Sequence, residues 1–127
     1  MTENEISFLI RKGIFNVYNS LGPGLLESVY QKVLKYELED LGLEVKSEIE
    51  VPIIYNEIKF NCNFRIDLLV EDKVIVELKS VKMLEDIHYK QLYTYLKLSD
   101  KKLGILVNFN SSKILENIKR IVYNLEE

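Results

Sequence analysis

Residues 73–80 read KVIVELKS, and this octet narrows the choice of fold more than any other stretch. Val74, Ile75, Val76 and Leu78 are strand formers that favour burial, yet Glu77 and Lys79 stand among them. Side chains alternate across a strand, so Glu77 and Lys79 share a face with Ile75, while Val74, Val76 and Leu78 occupy the other. In the preceding run, RIDLLV at 65–70, Asp67 shares a face with Arg65 and Leu69; Phe64, Ile66, Leu68 and Val70 form the apolar side. Two strands with apolar faces bury them together, which turns Asp67 and Glu77 to the same side of a sheet.

Register tests this expectation. A two-residue loop at Glu71-Asp72 sets Asp67 opposite Val76 and separates the acids, whereas a three-residue loop or a bulge pairs Asp67 with Glu77. The odd loop or the bulge is therefore predicted. Carboxylates facing each other across a sheet repel, so a positive group belongs between them: Lys79, or a divalent cation. A hard cation such as magnesium prefers oxygen ligands and keeps several waters. The plain alternative is a surface pair of Glu77 and Lys79 on a half-exposed strand, since Glu-x-Lys alone is a weak motif.

A chain of 127 residues fits one domain, residues 1–127, and 47% hydrophobic with 29% charged residues is ordinary for a globular protein. No apolar stretch reaches the length of a membrane span, and Met1-Thr2-Glu3-Asn4-Glu5 is unlike a secretory signal, so a cytoplasmic location is expected. One cysteine, Cys62, and one histidine, His88, exclude an internal disulfide and a thiol-rich zinc site. The net charge of −3 does not attract a polyanion. A nucleic-acid partner then needs a bound cation or a local basic patch, for which Lys79 with Lys82, Lys101 with Lys102, and Lys113 with Lys119 and Arg120 are candidates.

Along the chain, Ile6, Leu9, Ile10, Gly13, Ile14 and Val17 predict an amphipathic helix over 5–19. Leu21-Gly22-Pro23-Gly24 breaks it, and a second helix is predicted from Leu25 to Leu41, stopped by Gly42. Strand periodicity follows: an edge strand through Ile49, Val51 and Ile53, marked by Pro52; a second over Ile58–Val70 after a turn at Asn56-Glu57; and a third over Val74–Lys79. A third helix over Glu85–Leu98 and a strand over Gly104–Phe109 come next. The tail from Ser111 fits one helix face through Ile114, Leu115, Ile118, Ile121, Val122 and Leu125, but IKRIVY is also rich in strand formers; the count favours helix. The sum is a mixed α/β (α+β) sheet with helices packed on it, its third and fourth strands parallel across the third helix.

An Asp on one strand followed by Glu-x-Lys on the next, here RIDLLVEDKVIVELKS, resembles the signature of the PD-(D/E)xK nuclease superfamily. GLLESVY, residues 24–30, resembles the motif that names the GxxExxY proteins, a bacterial and archaeal family of that superfamily, and HYKQLYTYLKLSDKKLGILVNFN, residues 88–110, is similar to the helix and strand that follow. The similarity runs from about Ile6 to Asn110, with Ile66 where the superfamily name has proline.

The resemblance implies a restriction-endonuclease-like core of helix, three antiparallel strands, helix and strand, here with an extra N-terminal helix. It implies a divalent metal, Mg2+ or Mn2+, on Asp67 and Glu77, with Lys79 at the hydrolytic water and Glu27 as a further acid from the helix before the sheet. Tyr30, one turn beyond Glu27 and a candidate substrate contact, and Gly24, which would let backbone approach closely, belong to the same motif. His88, Gln91 and Tyr95, spaced i, i+3 and i+7, form a polar-aromatic stripe of candidate substrate contacts, with Gln91 placed next to the lysine in superfamily members. A lone histidine is also a common structural residue.

The expected function is metal-dependent hydrolysis of phosphodiester bonds in nucleic acid, DNA first. The competing expectation is a non-catalytic nucleic-acid-binding or regulatory module that keeps the nuclease fold. An enzyme this small that cuts both strands needs two active sites, hence a homodimer.

Overall fold

The computed structural model describes residues 1–126. Helix α1, Glu3–Leu21, starts at Thr2, whose hydroxyl accepts the Glu5 N–H at 3.2 Å, and ends at Gly22, whose φ of 66° an L side chain rarely adopts. Helix α2, Glu27–Asp40, is followed by β1, Val45–Glu50; a small hairpin of β2, Ile53–Tyr55, and β3, Ile58–Phe60; then β4, Arg65–Val70, and β5, Val74–Lys79. Helix α3, Asp86–Ser99, leads to β6, Leu103–Asn108, and a 3₁₀ turn at Ile114–Asn117 to β7, Ile118–Val122. The main sheet has the order β1-β4-β5-β6-β7, and only β5 and β6 run parallel, with α3 as their crossover.

The stripes read from the sequence bury this sheet on both faces. Ile6, Ile10 and Ile14 of α1 and Tyr30, Leu34 and Leu38 of α2 pack on Leu68, Val70, Val74, Val76 and Leu78. Leu92, Tyr95 and Leu96 of α3 cover Leu69, Ile75 and Leu106 on the other side. Gly104 sets the depth at which α3 sits, because a Cβ there would lie 2.9 Å from Leu92 Cγ. Gly104→Val is therefore expected to destabilise the protein by about 1–3 kcal/mol through overpacking. Urea denaturation measures it; an unchanged midpoint would show that α3 repacks freely.

Three expectations need correction. The second strand does not run unbroken over Ile58–Val70: residues 61–64 are irregular, with Asn63 at φ 58°, and Ile58–Phe60 pairs only with β2 in a separate two-stranded sheet. The tail is strand rather than helix, because β6 offers an edge and the strand formers of IKRIV pair along it from Leu103↔Val122 to Val107↔Ile118. Ile66 packs with Leu69 and Ile75 instead of with Leu68 and Val70. Glu48 opposite, at φ 54°, takes no paired position with Asp67, and alternation slips at that point. Pro52 does follow an edge strand, but that strand ends at Glu50 instead of running on through Ile53, which opens the separate hairpin; a turn does fall at Asn56-Glu57, where both residues have positive φ.

Candidate active site

The register of β4 and β5 decides how the acids meet. Val70 pairs with Val74, Leu69 with Ile75 and Leu68 with Val76, so the loop is the odd one, Glu71-Asp72-Lys73. The same register carries Asp67 to Glu77, and there the ordinary ladder gives way to side chains. The Asp67 N–H donates to Glu77 Oε1 at 3.0 Å, and the Leu78 N–H donates to Asp67 Oδ2 at 2.9 Å. Each carboxyl group is thus held by the other strand's backbone, which fixes both without a salt bridge.

The electrostatics are those of a site short of positive charge. Burial, then the charge of Asp67, pushes the Glu77 carboxyl up to about 8, against the pull of the Asp67 N–H and Lys79. Asp67 is also raised, first by burial and then by Glu27, while the Leu78 N–H and Lys79 lower it. The direct interaction of the two carboxyl groups lowers Asp67 and raises Glu77. Lys79 is half-buried and forms no ion pair within 4.0 Å among the described residues, so its help is only through space.

Helix α2 enters the site through the turn before it. Tyr30 is fully buried, stacked on Phe109 with ring centroids 4.4 Å apart, and its hydroxyl donates to Gly22 O and accepts the Leu25 N–H. Ser80, next to Lys79, donates its hydroxyl to Leu25 O at 2.6 Å. The two contacts tie Gly22-Pro23-Gly24 to the end of β5 and bring half-buried Glu27 within electrostatic reach of Asp67. Gly24 serves by its φ of 106° rather than by close approach, since nothing lies within 4 Å of where its Cβ would be.

The structure therefore brings together Asp67, Glu77, Lys79 and, more loosely, Glu27. No three His, Cys, Asp or Glu side chains among the described residues stand close enough to hold a metal ion, so Glu27 does not complete a ligand set in this arrangement. The pair itself suits a hard cation: two carboxyl groups, one of them raised by burial and by its acidic neighbour more than Lys79 lowers it. Tyr95, 6% exposed, is raised by burial and then by the charges of Glu77 and Asp67, while a hydrogen bond with Gln91 opposes the shift. Tyr95 thus lies near the acids, and Gln91 contacts Tyr95 rather than the acids themselves. Tyr30 has no surface to offer a substrate, and His88 is occupied in starting α3, where its Nδ1 accepts the Glu85 N–H at 3.0 Å.

Sequence reasoning missed Asn108, which is fully buried. Its Oδ1 accepts the N–H groups of Val81 and Asn110, and its Nδ2 donates to Val81 O, stapling the chain just beyond Lys79. An asparagine inside the apolar run GILVNF was the available signal.

No curated protein matches the chain. It is similar to the crystal structure of SSO0001 with a TM-score of 0.51 and 22% identity, over 94% of this chain and 78% of that one, a likeness of fold. A sequence model of the PD-(D/E)XK nuclease superfamily, whose members generally use divalent metals, matches residues 4–121. With that match spanning nearly every element of the five-stranded sheet and its helices, the chain belongs to the PD-(D/E)XK nuclease superfamily.

Proposed function

We propose that the protein is a metal-dependent phosphodiesterase of the GxxExxY group that cleaves nucleic acid, DNA in the first instance, with Mg2+ or Mn2+ as its cofactor. The observation that carries this reading is the pair Asp67 and Glu77, held by the Leu78 and Asp67 backbone N–H groups and without an ion pair within 4.0 Å among the described residues. A divalent cation bound there supplies Lewis acidity at a phosphate oxygen and lowers the pKa of a bound water. Lys79, two residues beyond Glu77, orients that water and offsets charge building on the phosphate. Glu27 acts on Asp67 from across the cleft, and Gln91 holds Tyr95 beside the acids.

Nucleic acid needs a positive track in an acidic protein. Lys82 and Lys119, from two of the basic clusters, line one polar cleft of about 540 Å³ together with Ser111 and Asn117. A homodimer would present two such sites to a duplex. The competing reading, a module that binds without turnover, is favoured by the net charge of −3 and by the missing third ligand.

Incubation with single-stranded, duplex and branched DNA, with Mg2+ or Mn2+, separates the two. Cleavage is expected, with a loss of about 10²-fold or more in Lys79→Ala. Intact substrates with both metals would give the case to the binding module.

A further inference from the structure

An apolar groove of about 290 Å³ runs between α3 and the arm that carries β2 and β3. Phe64 and Leu98 give it hydrocarbon surface, Gln91 and Thr94 give it an amide and a hydroxyl, and the exposed Lys90 gives it a cation. The groove adjoins the candidate active site through Tyr95, which lines it and packs with Leu69 and Ile75, each two residues from Asp67 or Glu77, and which feels the charge of both acids. Tyr95 and Phe64 are neighbours there, their ring centroids 6.2 Å apart and tilted by 56°.

We propose that this groove receives an unpaired nucleobase of the strand whose phosphate lies at Asp67 and Glu77, so that the protein selects single-stranded or locally unpaired sites. The inference rests on the nuclease reading above. A base offers two flat apolar faces and a polar edge, which matches an aromatic and aliphatic wall interrupted by an amide and a hydroxyl. The Lys90 ammonium suits the flanking phosphate. A base inside a duplex has its faces stacked and its edge paired, so it cannot enter without first leaving the helix. The rival occupant is the hairpin of a second copy, which exposes Ile54, Tyr55, Ile58 and Phe60. The base is preferred because the groove adjoins the acids through Tyr95 and is lined by the Gln91 amide, the Thr94 hydroxyl and the Lys90 ammonium, polar groups that an apolar hairpin would leave unmatched.

The test measures initial cleavage rates with Mg2+ on a strand that is free, fully paired, or paired except for one nucleotide beside the scissile phosphate. The fluorescence of 2-aminopurine at that nucleotide is followed in parallel. Unpaired substrates are expected to be cut about tenfold faster or more, and 2-aminopurine to be quenched by stacking. An abasic residue at the same position should remove the advantage without any change in the protein. Thr94→Trp, on the exposed surface of α3, fills the groove and should bring the rates for paired and unpaired substrates together; Leu98→Trp serves if that variant fails to fold. Equal rates on paired, unpaired and abasic substrates would overturn the inference and leave the nuclease reading standing. No cleavage and no quenching on any substrate would overturn both. Loss of self-association in Thr94→Trp with base preference unchanged would assign the groove to a second copy and overturn the inference.

Discussion

Glu77→Gln should make the metal-free protein more stable at pH 8.5, by about 3 kcal/mol or roughly 10 °C in melting temperature, and abolish its cleavage of DNA. The folded-state value of about 8 lies well above the ordinary 4.5 of a glutamate. Between those values the folded chain keeps a proton that the unfolded chain has released, so stability falls as pH rises through the window, at up to about 1.4 kcal/mol per unit. Below pH 4.5 both states are protonated and the penalty is absent; above pH 8 it is complete. A glutamine carries no charge to bury, and its carbonyl still accepts the Asp67 N–H. The variant should therefore match the wild type near pH 5 and exceed it near pH 8.5. Magnesium or manganese should raise the wild-type melting temperature more at pH 8 than at pH 6, since binding displaces the same proton, and should leave Glu77→Gln unmoved. Parallel pH curves for the two proteins would show that Glu77 ionises normally, and the account of the site would fail.

Tyr30→Ala is expected to cost about 3–5 kcal/mol of stability, the range for removing a large buried aromatic. Tyr30→Phe separates packing from hydrogen bonding. It keeps the ring on Phe109 but leaves Gly22 O and the Leu25 N–H without the hydroxyl that links them, at about 1–3 kcal/mol. Because those groups belong to the turn that delivers Glu27, Tyr30→Phe should also slow cleavage under conditions where the variant is fully folded. Denaturant titration gives the stabilities and initial rates give the activity. Full activity in Tyr30→Phe would mean that the turn is held without the hydroxyl and that Glu27's placement does not depend on it.

The tyrosine of the Gly24 to Tyr30 motif shows how a correct motif can carry a misplaced role. Spacing put Tyr30 beside Glu27 and made it a candidate for substrate, but spacing does not say which side of a helix faces the sheet. Phe109, distant in sequence, supplies the ring against which Tyr30 is buried. His88 is a similar case, its ring drawn into a local bond with Glu85 that starts α3. Asn108 was passed over for the opposite reason: one partner, Asn110, is local, but Val81, which both accepts from and donates to its amide, is brought to it only by the path of the folded chain.

Periodicity was enough for α1, α2, α3, β5 and β6, because the spacing of what each buries is local, but it missed the break at residues 61–64 and the slip at Ile66. It was also enough for the odd loop between β4 and β5, since only that register keeps two apolar faces together. It was not enough for residues 118–122, which carry both periods and became strand because β6 has an edge to pair with. Amino-acid order alone thus determined which acids and which lysine face one another. Tertiary structure alone decided that each acid accepts a backbone N–H from the other's strand, that Glu77 is held above its ordinary range and that Glu27 stays at arm's length, because burial and charge at a point depend on every element that closes around it.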